Sequence, residues 1–128
     1  MNYILDTHAF IWFINGDKQL PANLVKIIKD IENSCFLSVA SLWEITIKHS
    51  LKRLEFAGGF NNIRDFLIQN EIQLLNVTFE HFLKLNTLGF YHKDPFDRLI
   101  ISQGIAENIT IITKDEIFKK YKVKTLWN

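Results

Sequence analysis

The sequence predicts an α/β domain, a three-layer α/β/α sandwich in which helices cover both faces of a central, mostly parallel sheet. Two observations lead there. Short apolar runs of strand character alternate with segments whose apolar residues recur at helical spacing, and strands separated by helices pair in parallel. Acidic residues stand at or just beyond several of those runs, where open parallel sheets gather their ligands. The 128 residues suit one domain, 1–128, with one core, and no repeat, low-complexity tract or linker interrupts the pattern.

The first strand ends at Leu5, and Asp6 follows it. An apolar helix from about Ala9 to Asn15 stops at Gly16. Pro21 opens a second helix, with Leu24, Ile27, Ile28 and Ile31 along one face. The strand Cys35–Ser38 precedes a third helix from about Ser41 to Leu51, whose apolar positions are Trp43, Ile45, Ile47 and Leu51. Gly58-Gly59 breaks the chain before a helix through Ile63, Phe66, Leu67 and Asn70. A strand around Gln73–Val77 comes next. Thr78 then caps a helix in which Phe79, Phe82, Leu83, Leu85 and Leu88 form the expected buried stripe. Asp94-Pro95 is a cap followed by proline at the first helical position, opening a helix to about Glu107. Strand Thr110–Ile112, a helical turn near Phe118 and strand Val123–Leu126 complete the chain.

Composition narrows the function. A net charge of +1 excludes a strongly basic chain, so any nucleic-acid contact must come from a local patch. The single Cys35 forbids an intrachain disulfide, lies in an apolar strand and suits a reducing compartment. No basic leader precedes Asp6, and the apolar stretch Ala9–Ile14 is far short of the roughly 20 residues that cross a bilayer. A soluble, cytoplasmic protein is the expectation.

The acids Asp6, Glu44, Asp97 and Asp115 carry the chemistry. Each has an ordinary alternative. Asp6 can cap the helix after it, Ser41-x-x-Glu44 matches a capping box, and Asp94-Pro95-Phe96-Asp97 doubles as a cap plus a third-position acid. Asp115 can sit in a turn. Lys48 can pair with Glu44 along an exposed helix, an interaction worth about 0.3 kcal/mol. Independent caps do not explain why the acids recur at one end of successive elements. Carboxylates gathered there resist joint ionisation unless a cation sits among them. Oxygen donors without thiols favour Mg²⁺ or Mn²⁺, and His8, His49, His81 and His92 show no spacing suited to zinc. Such an ion lowers the pKa of a bound water and offsets phosphoryl charge, so chemistry on a phosphate is expected. Thr7 and Thr113 are candidates to orient the carboxylates. Lys48, Lys93, Arg98 and Lys114 are candidate RNA contacts, with paired surface charge as the alternative.

Leu5-Asp6-Thr7-His8, Ser38-Val39-Ala40-Ser41-Leu42-Trp43-Glu44-Ile45, Asp94-Pro95-Phe96-Asp97-Arg98-Leu99 and Thr113-Lys114-Asp115 together resemble a PIN-domain protein. The similarity is greatest to the VapC-type ribonuclease toxins of bacterial toxin–antitoxin pairs and spans nearly the whole chain. It implies a PIN-like sandwich and a Mg²⁺- or Mn²⁺-dependent endoribonuclease. Asp6 and Asp97 would be its core metal ligands, with Glu44 and Asp115 completing the site directly or through water. Asp94 would cap and support, and Thr7 and Thr113 would be the hydroxyls beside the metal. The implied reaction is attack of a metal-activated water on an RNA phosphodiester, leaving a 3′-hydroxyl and a 5′-phosphate. The resemblance also implies a homodimer and a co-encoded antitoxin whose tail covers the acidic groove. Phe10–Ile14 can feed such an interface or fill the core. Two departures stand out. His92-Lys93 replaces the usual His-Arg, and Gly104 costs its helix about 1 kcal/mol relative to alanine.

Other functions compete. A receiver-type signalling domain needs an acidic pair after the first strand and an aspartate after a middle strand. This chain has only Asp6 at the first place and no acid between Cys35 and Trp43. A non-catalytic PIN-like domain binding RNA or protein would usually lack some of the acids, and all four are present.

Overall fold

The computed structural model describes residues 1–128. Its sheet has five strands, β1 (Asn2–Leu5), β2 (Ser34–Ser38), β3 (Ile72–Leu75), β4 (Thr110–Ile112) and β5 (Thr125–Leu126), in the order β3-β2-β1-β4-β5. Every pairing is parallel, so the sheet is wholly rather than mostly so. Helices α1 (Thr7–Ile14), α2 (Ala22–Lys29), α3 (Val39–Ser50), α4 (Asn62–Gln69), α5 (Phe79–Leu85) and α6 (Pro95–Glu107) make the crossovers. A 3₁₀ turn, Glu116–Lys120, leads into β5.

From β1 the chain winds outward through β2 to β3, then returns to β4 on the other side of β1. The winding therefore reverses between β1 and β4. In such a sheet the crevice at the carboxyl ends of those two strands is the natural ligand site.

Alternation along β1 divides the core. Tyr3 and Leu5 face a layer with Phe10, Leu24, Leu37 and Ile45, whereas Ile4 faces one with Ile100, Ile101, Ile111 and Phe118. The α1 run Phe10–Ile14 is spent here: all but half-buried Trp12 are buried. Burying a side chain such as Phe10 contributes roughly 2–3 kcal/mol. Cys35 is also buried, and desolvation pushes its thiol up to about 11, so it is an inert core residue.

Several boundaries differ from expectation for identifiable reasons. Helix α1 begins at Thr7, before Ala9, because Asp6 Oδ1 accepts the Ala9 N–H at 2.8 Å. Helix α3 begins at Val39 because Ser38 Oγ accepts the Ala40 N–H at 3.0 Å. Ser41 is thus inside the helix and buried, and Ser41-x-x-Glu44 is not a capping box.

The stripe assigned to α5 is overturned. Phe79 is 74% exposed, and Phe82 and Leu83 are also exposed. The helix instead buries His81, whose Nδ1 accepts the Thr78 N–H while Nε2 meets Glu107 at 2.9 Å. Two polar anchors on one imidazole fix the rotation of this short helix against α6, and its apolar stripe turns outward. On α3, Ile45 is buried, but Trp43, Ile47 and Leu51 are exposed.

Gly104 has a structural reason. A Cβ there would come within 2.8 Å of Ile111 Cδ1 and 2.9 Å of Val123 Cγ2. Helix α6 lies on β4 so closely that only glycine fits.

Candidate metal centre

The acids converge because strand ends and helix starts coincide. Asp6 follows β1 and caps α1, Asp94 caps α6, and Asp115 follows β4 and caps the 3₁₀ turn. Capping uses one carboxylate oxygen: Oδ1 of Asp6 for Ala9, Oδ1 of Asp94 for Phe96 and Asp97, and Oδ1 of Asp115 for Ile117. The second oxygen of each is left for other work. Capping and metal binding are therefore compatible roles for the same residues.

Asp97, in the first turn of α6, caps nothing. Its carboxyl is pushed up to about 8, first by burial and then by Asp94, Asp6, Glu44 and Asp115. All the predicted acids thus act on one group. Asp6 is also raised, with burial as the main cause. A hydrogen bond from Thr113, the Ala9 N–H and the charge of His8 pull the other way, and Asp115 adds to the rise.

Glu44 lies in the second turn of α3 and is buried. Thr7 Oγ1 donates to its Oε1 at 2.8 Å and lies 3.0 Å from Ser41 Oγ. Lys48 Nζ meets Oε2 at 2.8 Å. The expected helical pair is present, but one partner is buried, so it is more than a solvated surface bridge. Thr113 Oγ1 accepts the Asp115 N–H at 3.0 Å, and the same side chain favours the ionised form of Asp6.

His92 is the site residue that sequence reasoning missed. Its Nε2 lies 2.8 Å from Asp115 Oδ2 and 3.1 Å from Asp97 Oδ2. Its Nδ1 accepts the Asp94 N–H at 3.1 Å, which assigns the proton to Nε2. The ring therefore donates to the two carboxylates and draws them together. Ligation through Nε2 would require moving that proton to Nδ1, against the Asp94 N–H. The only local signal was a histidine two residues before a helix cap. A search for paired histidines does not find it.

The basic candidates separate. Lys93 and Lys114 are exposed, and Lys114 lies 5.9 Å from the Trp12 ring centroid. Lys48 is held by Glu44. Arg98 is buried: its Nη1 donates to the Gly89 carbonyl at 2.7 Å and to Tyr121 Oη at 3.3 Å, beneath the Phe90 ring. Through Nη1 it braces the loop that carries His92. Tyr121 Oη completes that brace, accepting the His92 N–H at 2.9 Å and donating to the Gly89 carbonyl at 2.7 Å.

These residues fit a hard divalent cation. Asp6, Asp97 and Asp115 offer oxygens in a partly desolvated cluster, where burial and neighbouring acids raise the Asp6 and Asp97 carboxyls, a cost that a cation would offset. His92, Asp97 and Asp115 also form a group whose ligand atoms lie within 4.8 Å of one another. With His92 acting as a donor, the available set is all oxygen, which suits Mg²⁺ or Mn²⁺ better than zinc.

A wholly parallel α/β sandwich with carboxylates crowded at its switch point defines a class of α/β domains with an acidic site. Within it, the chain belongs to the PIN domain family, whose model matches residues 3–124. Members of this family are typically nucleases that use divalent metal. Among solved structures, the fold is similar to VapBC2 from Rickettsia felis bound to a DNA fragment from its promoter, with 21% identity, a TM-score of 0.78 and full coverage of both chains. It is also similar to DNA-bound VapBC from Salmonella typhimurium, with 13% identity, a TM-score of 0.70, and 98% of this chain and 97% of that one covered. VapBC-1 from nontypeable Haemophilus influenzae shares 20% identity at a TM-score of 0.62, over 98% of this chain and 97% of that one. No curated protein matches the sequence.

Proposed function

We propose that the chain is a divalent-metal-dependent endoribonuclease, the cytoplasmic toxin of a bacterial toxin–antitoxin pair. The observation that carries the reading is the convergence of Asp6, Glu44, Asp94 and Asp115 on Asp97 at the switch point of a PIN fold. Asp6, Asp97 and Asp115 would hold Mg²⁺ or Mn²⁺, with Glu44 completing the site directly or through water. The ion supplies an acidified water and offsets charge on the phosphoryl oxygens.

The chain's own residues set the stage. Thr7 and Lys48 fix both oxygens of Glu44. Thr113 holds the backbone of Asp115 and favours the charge on Asp6, Asp94 orients His92, and His92 holds Asp97 beside Asp115. Lys93 and Lys114 are the exposed cations for the RNA backbone. Water adds to phosphorus, the bond to the 3′ oxygen breaks, and that oxygen takes up the proton, leaving a 3′-hydroxyl and a 5′-phosphate. The VapBC assemblies of similar fold support a cognate antitoxin as partner, and a homodimer is the proposed functional form.

The test is cleavage of a mixed labelled RNA pool with Mn²⁺, with Mg²⁺ and with chelator, beside Asp97→Asn. Metal-dependent cutting by the wild type alone is expected. A folded wild type that neither cuts RNA nor binds Mn²⁺ would overturn the reading. Mn²⁺ binding without cutting of any RNA in the pool would favour a non-catalytic PIN-like binding domain.

A further inference from the structure

Trp43 is 60% exposed although it immediately precedes buried Glu44. Its ring meets Phe96 edge-to-face, with centroids 5.1 Å apart and planes at 82°. Phe96 in turn immediately precedes Asp97 and is set in place by the Asp94 cap and Pro95. The pair therefore bridges α3 and α6, the helices that deliver two of the acids, and Phe96 supports the indole from one edge. Exposing most of an indole forgoes burial worth roughly 2 kcal/mol, and nothing else in the chain covers this one.

We propose that the Trp43–Phe96 pair is a stacking ledge for one unpaired base of single-stranded RNA beside the carboxylates. The inference rests on the nuclease reading and adds how the substrate is held. Continuity with the acids favours a base over other occupants. A phosphodiester brought to Asp97 must carry its flanking bases past the adjoining residues of α3 and α6, and every base offers a π-face to an indole. Exposed Lys93, three residues before Phe96, supplies a cation for the neighbouring phosphate. A duplex keeps its bases stacked on one another and has none to offer, so the ledge selects unpaired strands.

The test uses tryptophan emission in Asp97→Asn protein, which holds substrate without cutting it. It compares Trp43 with Trp43→Phe, so that any change lost in the second belongs to position 43. A single-stranded mixed 12-mer should quench Trp43 saturably, while an abasic 12-mer and a duplex should not. In otherwise wild-type protein, Trp43→Ala should raise KM roughly five- to one-hundredfold on single strands, and Trp43→Phe much less. Equal quenching by the abasic strand, or an unchanged KM in Trp43→Ala that still cuts RNA, would overturn the ledge while leaving the nuclease intact. Emission that follows protein concentration and ignores RNA would make the pair a protein contact and overturn it as well. If the wild type neither binds nor cuts any RNA, the nuclease reading fails, and the ledge with it.

Discussion

Without metal, Asp97→Asn should stabilise the protein, and by an amount that grows with pH. The Asp97 carboxyl is raised from 3.8 to about 8, chiefly by burial and then by the surrounding acids. Below pH 3.8 the folded and unfolded chains both hold the proton, and the group costs nothing. Between 3.8 and about 8 only the folded chain holds it, so stability falls as pH rises. The slope is about 1.4 kcal/mol per pH unit. Above pH 8 both states are ionised and the full penalty stands, on the order of 5 kcal/mol. The side chain is 20% exposed, so water takes part of that. About 3–5 kcal/mol is expected, or a melting-temperature gain of roughly 10–20 °C. Asparagine cannot ionise, yet its oxygen still accepts the His92 proton. Thermal melts in chelator from pH 4 to 8.5 should show the two proteins nearly level at pH 4 and diverging steadily from there to about pH 8. Mn²⁺ should then raise the wild type and leave the variant nearly unchanged. Parallel curves, or a variant less stable at pH 8, would refute the electrostatic account of the site.

The remaining expectations concern the scaffold. His92→Phe keeps a ring against Phe118 but removes the donor shared by Asp97 and Asp115, and Mn²⁺ affinity should fall about 10- to 100-fold. An unchanged dissociation constant by calorimetry would remove His92 from the site. Gly104→Ala gains about 1 kcal/mol of helix propensity but forces a Cβ against Ile111 and Val123, so a net loss of about 1–3 kcal/mol is expected. A urea midpoint higher than wild type would show that α6 can move off β4. Tyr121→Phe orphans the Tyr91 and His92 N–H groups and should cost about 1–3 kcal/mol while slowing cleavage through His92. Full activity at reduced stability would confine Tyr121 to the fold.

What was legible in the sequence was whatever depends on local pattern. Strand–helix alternation announced the parallel sheet, and Asp94-Pro95 announced the start of α6, because cap and proline act through neighbouring atoms. The outward stripe of α5 was not legible, because spacing predicts a face but not the partner it turns toward. Buried His81, tied to Glu107 across 26 residues, decided that rotation. The packing reason for Gly104 was not legible either, since its partners lie on β4 and near β5, whereas its cost in helix propensity is local. Arg98 looked like an RNA contact because its charge is local, whereas its burial under Phe90 and beside Tyr121 is tertiary. His92 reaches Asp115 across 23 residues through one ring nitrogen, a contact that no spacing rule encodes.

The alternatives weighed for the acids, cap or ligand, proved to be a false opposition, and this decides which variants are informative. Asp6, Asp94 and Asp115 each spend one oxygen on the backbone of a helix or turn. Removing one of them strips a cap worth about 1 kcal/mol along with a charge, and the two effects on stability have opposite signs. A small net change at Asp6 or Asp115 would therefore be ambiguous. Asp97 has no capping bond, and its one polar side-chain contact is His92, which asparagine can keep. It is the single position where charge is removed without loosening the frame. If Asp97→Asn stabilises the metal-free protein while abolishing metal binding, the cost of a buried carboxylate among other acids is what a cation relieves. The caps then hold the carboxylates in register for it.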